Sequence, residues 1–127
     1  IVGGQPSIED LQLLKSVGVK TVVNLRPATE AMDFDEQAVA EQMALNYCHI
    51  PVSGIGCLTI EACETLKQIL EQNEPCLIHC ASGNRVGALI ALKAFWLDKL
   101  PAEQCLDFGR QSGLTMLEAG IRQLISV

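Results

Sequence analysis

The sequence predicts an α/β fold with a mostly parallel sheet of about four strands, flanked by helices on both faces. Three observations carry that prediction. Short β-branched or apolar runs at 21–25, 47–52 and 76–79 alternate with longer stretches of helical period, as when crossover helices join parallel strands. A helix that is apolar nearly all round comes after the last strand over 86–97, and such a helix needs neighbours on most sides. The elements run β-α-β-α-β-α-β-α-α, with no repeat, linker or low-complexity tract between them.

Taken in order, Ile1, Val2, Gly3 and Gly4 read as a short opening strand. Ser7 caps the first helix with Asp10 three residues on; Leu11, Leu14 and Val17 mark its buried face and Gly18 ends it. Thr21 to Leu25 form a buried strand, stopped by Arg26 and Pro27. A polar loop over 28–33 carries Thr29, Glu30 and Asp33, and the next helix starts near Asp33 with Glu36 completing a box-like cap. That helix buries Phe34, Val39 and Met43.

Tyr47 to Val52 are the third strand, on which His49 reads as a satisfied core histidine. A glycine-bearing loop over 53–58 leads to Thr59, the cap of a helix with Ile60, Cys63, Leu66, Ile69 and Leu70 on one side. Pro75 turns the chain into the fourth strand. After the apolar helix, Pro101 opens another, which Gly109 and Gly113 break. Thr115 with Glu118 forms a second capping box at the last helix, whose inner face carries Leu117, Ile121 and Leu124.

The chemistry concentrates where the fourth strand meets the apolar helix, in His79-Cys80-Ala81-Ser82-Gly83-Asn84-Arg85. Backbone N–H groups of Ala81, Ser82, Gly83, Asn84 and Arg85 can converge on one point, the helix N-terminus adds partial positive charge, and the Arg85 guanidinium supplies two parallel donors. That is an anion cradle. A thiol at its focus favours the thiolate, because a free Cys value near ~8.5 falls to roughly 3.5–7.5 beside a helix N-terminus and an Arg. A buried Cys before a tight turn is the bland alternative, and it leaves the Gly, the Arg and the His without a task. Parallel sheets place ligands at the carboxyl ends of their strands, where Cys80 falls.

The 127 residues are enough for one domain over 1–127, and 49% hydrophobic residues argue against disorder. A net charge of −6 leaves no basic face for nucleic acid or an anionic membrane, so an anionic substrate must be drawn by a local positive focus. Six Cys in a chain with this apolar a core read as free thiols in a reducing compartment, the cytoplasm. No metal-ligand spacing is present, no cofactor is implied, and no apolar run is long enough to span a bilayer.

HCASGNRVG resembles the active-site loop of the cysteine phosphatase superfamily. With GGQPSIEDLQLLKSVGVKTVVNLRP at 3–27, CHIPV at 48–52 and HCASGNRVGAL at 79–89, nearly the whole chain is similar to one bacterial branch of it. That phosphatase-like family is found fused or adjacent to beta-lactamase-like hydrolases that handle sulfur compounds. The resemblance implies a dual-specificity-phosphatase-like fold, a Cys80 nucleophile with Arg85 on the anion, and a sulfur-handling enzyme as partner. One departure stands out. Four residues separate Cys80 from Arg85 where tyrosine and dual-specificity phosphatases have five; four resembles rhodanese-type sulfurtransferases, and a shorter ring suits a terminal sulfur better than a tetrahedral phosphoryl group.

Around the nucleophile, His79 points to the opposite face of its strand and so holds the cradle open through loop carbonyls rather than acting as the base. Ser82 donates to the Cys80 sulfur or satisfies the turn, and Gly83 supplies a conformation closed to other residues. Arg26 extends the positive rim or, the favoured reading, pairs with Glu30. The superfamily's general acid sits on the loop after the third strand, and here that loop carries no carboxylate. Glu61 is nearest, in a helix's first turn, while Glu30, Asp33 and Asp35 could reach in from the neighbouring loop. Cys57 is the one further Cys to watch, as a resolving or sulfur-accepting thiol. The leading expectation is a sulfurtransferase with a Cys80 persulfide, drawing on thiosulfate or a small persulfide. The alternatives are a phosphatase acting through phosphocysteine and a non-catalytic anion-binding or redox-sensing domain.

Overall fold

A computed structural model describes residues 1–30, 34–73 and 75–125. The strands are β1 (Val2–Gly3), β2 (Thr21–Asn24), β3 (Asn46–His49) and β4 (Cys76–His79). The helices are α1 (Ile8–Ser16), α2 (Glu36–Gln42), α3 (Ile60–Asn73), α4 (Asn84–Trp96), α5 (Ala102–Gln111) and α6 (Glu118–Ile125). All four strands are parallel in the order β1-β4-β2-β3, so the expected sheet is present, and the apolar helix, the Pro101 helix and the last helix follow β4 as α4, α5 and α6.

Strand alternation divides the core in two. Val22 and Leu77 face α1 and α2 with Leu11, Val19, Ala40 and Leu45, whereas Val23 and Ile78 face the layer of α3 to α6 with Leu66, Leu89 and Leu92. β2 and β4 are buried on both faces along their whole length, as inner parallel strands must be. β3 lies at the edge with exposed ends. His49 is therefore exposed and is corrected from a core histidine; its ring meets the Arg26 carbonyl instead.

Local signals set most boundaries. Ser7 and Asp10 form a reciprocal capping box on α1, Gly18 takes a left-handed φ of 108° after it, and Thr59 caps α3 through the Ala62 N–H. Val17, expected on the buried face, is 67% exposed because α1 has already ended. At α2 the capping residue is Asp35, which accepts from the Ala38 N–H, and Glu36 is buried instead of completing a cap. Asp33, expected to start that helix, lies outside the described residues. Thr115 and Glu118 do not form a box: the Thr115 hydroxyl meets Asn84, and Glu118 pairs with Arg110 and Arg122.

Gly109, expected to break a helix, sits inside α5. Its missing side chain lets α5 cross α4 closely, since a Cβ there would meet Gly87 O and Ala91 Cβ at 3.0 Å. The crossing holds α4, with eight buried residues, in the middle of its layer. That fixes the N-terminus of α4 at the carboxyl end of β4.

Candidate active site

β4 ends in a buried run, Cys76–His79, and Cys80 is the next residue. Three backbone hydrogen bonds hold this strand end. The Leu25 N–H donates to the His79 carbonyl at 2.9 Å, Cys80 N–H to Gly3 at 3.4 Å, and Gln5 N–H to the Ala81 carbonyl at 3.0 Å. The chain then turns through Gly83, whose φ of 97° is a left-handed conformation that costs other residues strain. This turn aims the Gly83 N–H at the Cys80 sulfur, 3.0 Å away. Sγ is shielded from solvent, while Ala81 and Ser82 on the same loop are exposed. The amide on the sulfur is thus Gly83, and the Ser82 side chain stands outward.

Arg85, one residue into α4, is held by two partners. Its Nη1 donates to Glu30 Oε2 at 2.6 Å and to the Val52 carbonyl at 2.8 Å; its Nη2 donates to Glu30 Oε1 at 3.0 Å. A guanidinium has five N–H groups, so these contacts leave Nε–H and the second Nη2–H, which are adjacent and parallel. That edge interacts with Cys80, whose sulfur helps push the guanidinium's proton affinity up after the larger effect of Glu30. The arrangement presents a two-pronged donor beside the sulfur. Glu30 also accepts from Arg26 Nε at 3.2 Å, as expected of that pair, and the hydrogen bond from Arg85 is the leading cause that holds its carboxyl below the usual range.

Behind the strand end lies a buried acid. Glu36 Oε2 is 2.7 Å from His79 Nε2 and takes the Tyr47 hydroxyl at 3.0 Å, while Oε1 takes Gln5 Nε2 at 2.8 Å. Burial pushes the Glu36 carboxyl up, but the His79 hydrogen bond and charge, with Gln5 and Tyr47, bring it net below its ordinary value. Burial and the Glu36 charge push the Tyr47 hydroxyl in the opposite direction. His79 Nδ1 lies 3.3 Å from the Cys80 carbonyl oxygen, so the expected loop-carbonyl contact is present, with Glu36 as its nearer partner. Sequence reasoning missed Glu36, Gln5 and Tyr47 in this role. A cavity of about 410 Å³ opens beside the group, lined by Arg26, Glu30, Asp35, Glu36, Tyr47 and His49 among others.

The remaining candidates separate. Asn84, expected to line the cradle, turns its side chain away: Oδ1 accepts from Thr115 N–H at 2.9 Å, Thr115 Oγ1 at 3.3 Å and Leu117 N–H at 3.3 Å. It anchors the α5–α6 connection to the N-terminus of α4. Glu61 is an exposed residue in the first turn of α3, and Asp35 is occupied in capping α2. Glu30 reaches the site, but as the clamp on Arg85, with its proton lost more readily than usual. Cys57, on a single 3-10 turn over Ile55–Cys57, has its sulfur 3.3 Å from Ser53 Oγ, which pulls its thiol below the ordinary value. All six cysteines are free thiols. Among the described residues no cluster of His, Cys, Asp and Glu could hold a metal ion, and no helix is long and apolar enough to cross a membrane.

A parallel sheet between helical layers, with Cys80 and Arg85 flanking the turn that joins an inner strand to a buried helix, is a dual-specificity-phosphatase-like fold. The chain belongs to the family of DSP-PTPase phosphatases fused to NAD+ kinase, whose family model matches residues 1–115. It is 27% identical over 122 residues to a beta-lactamase hydrolase-like protein of Agrobacterium fabrum, covering 93% of this chain and 28% of that protein. The chain thus spans little more than a quarter of the curated relatives it matches. Two solved structures share the fold. The DUF442 phosphatase-named protein of Shewanella putrefaciens superposes with a TM-score of 0.70 at 23% identity, covering 98% of this chain and 80% of its own. The core catalytic domain of the PP-IP phosphatase SIW14 from S. cerevisiae gives a TM-score of 0.73 at 22% identity, covering 98% and 77%.

Proposed function

We propose that this chain is a cysteine-dependent phosphatase, which places the phosphoryl reading ahead of the sulfurtransferase expected from sequence. The observation that carries it is the pairing of the Cys80 sulfur, held by the Gly83 N–H at 3.0 Å, with the spare parallel N–H pair of Arg85. In the reaction the Cys80 thiolate attacks phosphorus, an S–P bond forms as the P–O bond to the leaving group breaks, and the leaving oxygen takes the electron pair. Arg85 and the loop amides hold the phosphoryl oxygens, as charge there is best met by fixed donors. Water then attacks phosphorus, releasing inorganic phosphate and restoring the thiolate.

Of the candidate acids on the loop after the second strand, Glu30 is clamped between two guanidiniums and Asp35 caps a helix, so neither is free to protonate a leaving oxygen. That supports substrates whose leaving group departs readily as an anion, such as aryl phosphates including phosphotyrosine. A small anionic substrate also suits a chain whose net charge of −6 repels polyanions away from the cradle. The free thiols support a reducing compartment, the cytoplasm, as the place of action.

A second reading keeps sulfur transfer, favoured by the four residues between Cys80 and Arg85. There Cys80 takes the outer sulfur of thiosulfate, releases sulfite, and hands the sulfur to an acceptor thiol, with a sulfur-handling enzyme as partner. Incubation with an aryl phosphate and, separately, with thiosulfate decides between them, with Cys80→Ser alongside. Phosphate release that disappears in Cys80→Ser, with no added sulfur on the wild type by intact mass, is the expected result. A gain of one sulfur without phosphate release overturns the phosphatase reading.

A further inference from the structure

The attack on phosphorus uses Cys80 and Arg85 and leaves the buried Glu36–His79 pair without a task. The Glu36 carboxylate receives three donors: the Gln5 amide at 2.8 Å, the Tyr47 hydroxyl at 3.0 Å and His79 Nε2 at 2.7 Å. Tyr47's oxygen already accepts from Asn24 Nδ2 at 2.8 Å, so its own proton points to the acid. Both partners are sealed, with side-chain exposures of 0% for His79 and 1% for Glu36. A buried carboxylate is costly unless a counter-charge touches it, and of its three direct partners only His79 can carry one. The other ring nitrogen, Nδ1, faces the Cys80 carbonyl oxygen at 3.3 Å. Only the imidazolium can donate from both ring nitrogens at once, to an acceptor at each.

We propose that Glu36 is a positioning residue for Cys80: it holds His79 as an imidazolium whose Nδ1–H grips the Cys80 carbonyl and sets positive charge beside the nucleophile. The proposal rests on Cys80 being the nucleophile, whichever group it takes up. The same acid also reaches the far end of the loop. Arg26 Nη1 donates to Gln5 Oε1 at 2.8 Å, Arg26 Nε to Glu30 at 3.2 Å, and Glu30 grips Arg85. A continuous hydrogen-bonded chain therefore runs Cys80–His79–Glu36–Gln5–Arg26–Glu30–Arg85, tying both ends of the cradle to one frame. The charged and titratable groups around the acid are His79 on β4, Tyr47 on β3, Asp35 at the start of α2 and, through Gln5, Arg26 beyond β2.

Glu36→Gln keeps the shape and removes the charge. The chain has two histidines, so carbon-edited imidazole spectra with His49→Asn for assignment report on His79 directly. At neutral pH the wild type shows the doubly protonated ring for His79, and Glu36→Gln loses it. Alkylation of Cys80 by iodoacetamide then slows by about tenfold or more, and kcat on an aryl phosphate falls with KM nearly unchanged. Tyr47→Phe, which removes one donor but keeps both charges, stays within about twofold of the wild type in alkylation by iodoacetamide. A neutral His79 ring in the wild type overturns the proposal without recourse to any acid variant, as does unchanged Cys80 reactivity in folded Glu36→Gln. Wild-type Cys80 reacting no faster than Cys48 removes the nucleophile itself, and with it both this proposal and the phosphatase reading.

Discussion

Glu30 and Arg85, 55 residues apart in the chain, are joined by hydrogen bonds of 2.6 and 3.0 Å that fix which edge of the guanidinium faces Cys80. Because the carboxylate takes one N–H from each terminal nitrogen, the ring of Arg85 donors can rotate neither toward solvent nor away from the sulfur without breaking both. The clamp is charge-assisted and two-pronged, the geometry in which a carboxylate and a guanidinium bind best.

Glu30→Gln therefore lowers turnover of an aryl phosphate by about 10–100-fold, measured as kcat/KM at neutral pH. The same variant tests the acid limb of stability. Arg85 and then Arg26 hold the Glu30 carboxyl below its ordinary 4.5 in the folded chain. A depressed folded value means that the stabilisation is full above 4.5 and is lost as pH falls through the folded value. Wild-type Tm should drop as pH falls below 4.5, and Glu30→Gln should show a shallower drop.

Asn84→Ala removes the acceptor shared by the Thr115 N–H, the Thr115 hydroxyl and the Leu117 N–H. Leaving those donors without their partner should cost about 1–3 kcal/mol of stability in urea unfolding. KM should change little, because the side chain points away from the cradle. A loss in KM larger than the loss in stability would return Asn84 to the substrate.

Gly87→Ala tests the crossing that seats α4. A Cβ there would lie 2.2 Å from Leu114 N and 2.6 Å from Gly109 O, both backbone atoms that cannot swing aside. Overpacking of this kind costs about 1–3 kcal/mol or more, read as a lower denaturation midpoint. Gly3→Ala, with nothing within 4 Å of the new Cβ, serves as the control.

Among the thiols away from the loop, Cys57 should react with iodoacetamide faster than Cys48. The Ser53 hydroxyl pulls the Cys57 thiol down, whereas burial pushes Cys48 up. A lower value leaves more thiolate at neutral pH, so Ser53→Ala should slow Cys57 by about twofold or more in peptide mapping.

Much of this site is written locally. Cys80, Gly83 in its left-handed turn and Arg85 at the opening of α4 are close neighbours in the chain, and a strand, a turn and a helix start impose their geometry within that span. Ser7 with Asp10, Thr59 and Gly18 were legible for the same reason: a cap is a contact between residues three or four apart. Pairing of Arg26 with Glu30 is another i,i+4 contact.

The chain order alone therefore decided the alternation of strands and helices, the parallel sheet and the identity of the loop. Which distant side chains meet was decided by the sheet order β1-β4-β2-β3. Inserting β4 between β1 and β2 sets His79 against an acid 43 residues earlier and lets Glu30 close over Arg85. Leaving β3 at the edge exposes His49, and folding the α5–α6 connection back onto α4 claims Asn84. Periodicity records whether a residue is buried or exposed within its own element. It holds no record of the partner across the sheet, because that choice is made by packing two apolar faces at once. Glu36, a helix-start acid by every local sign, became the buried partner of His79 only when the tertiary fold placed it behind the end of β4.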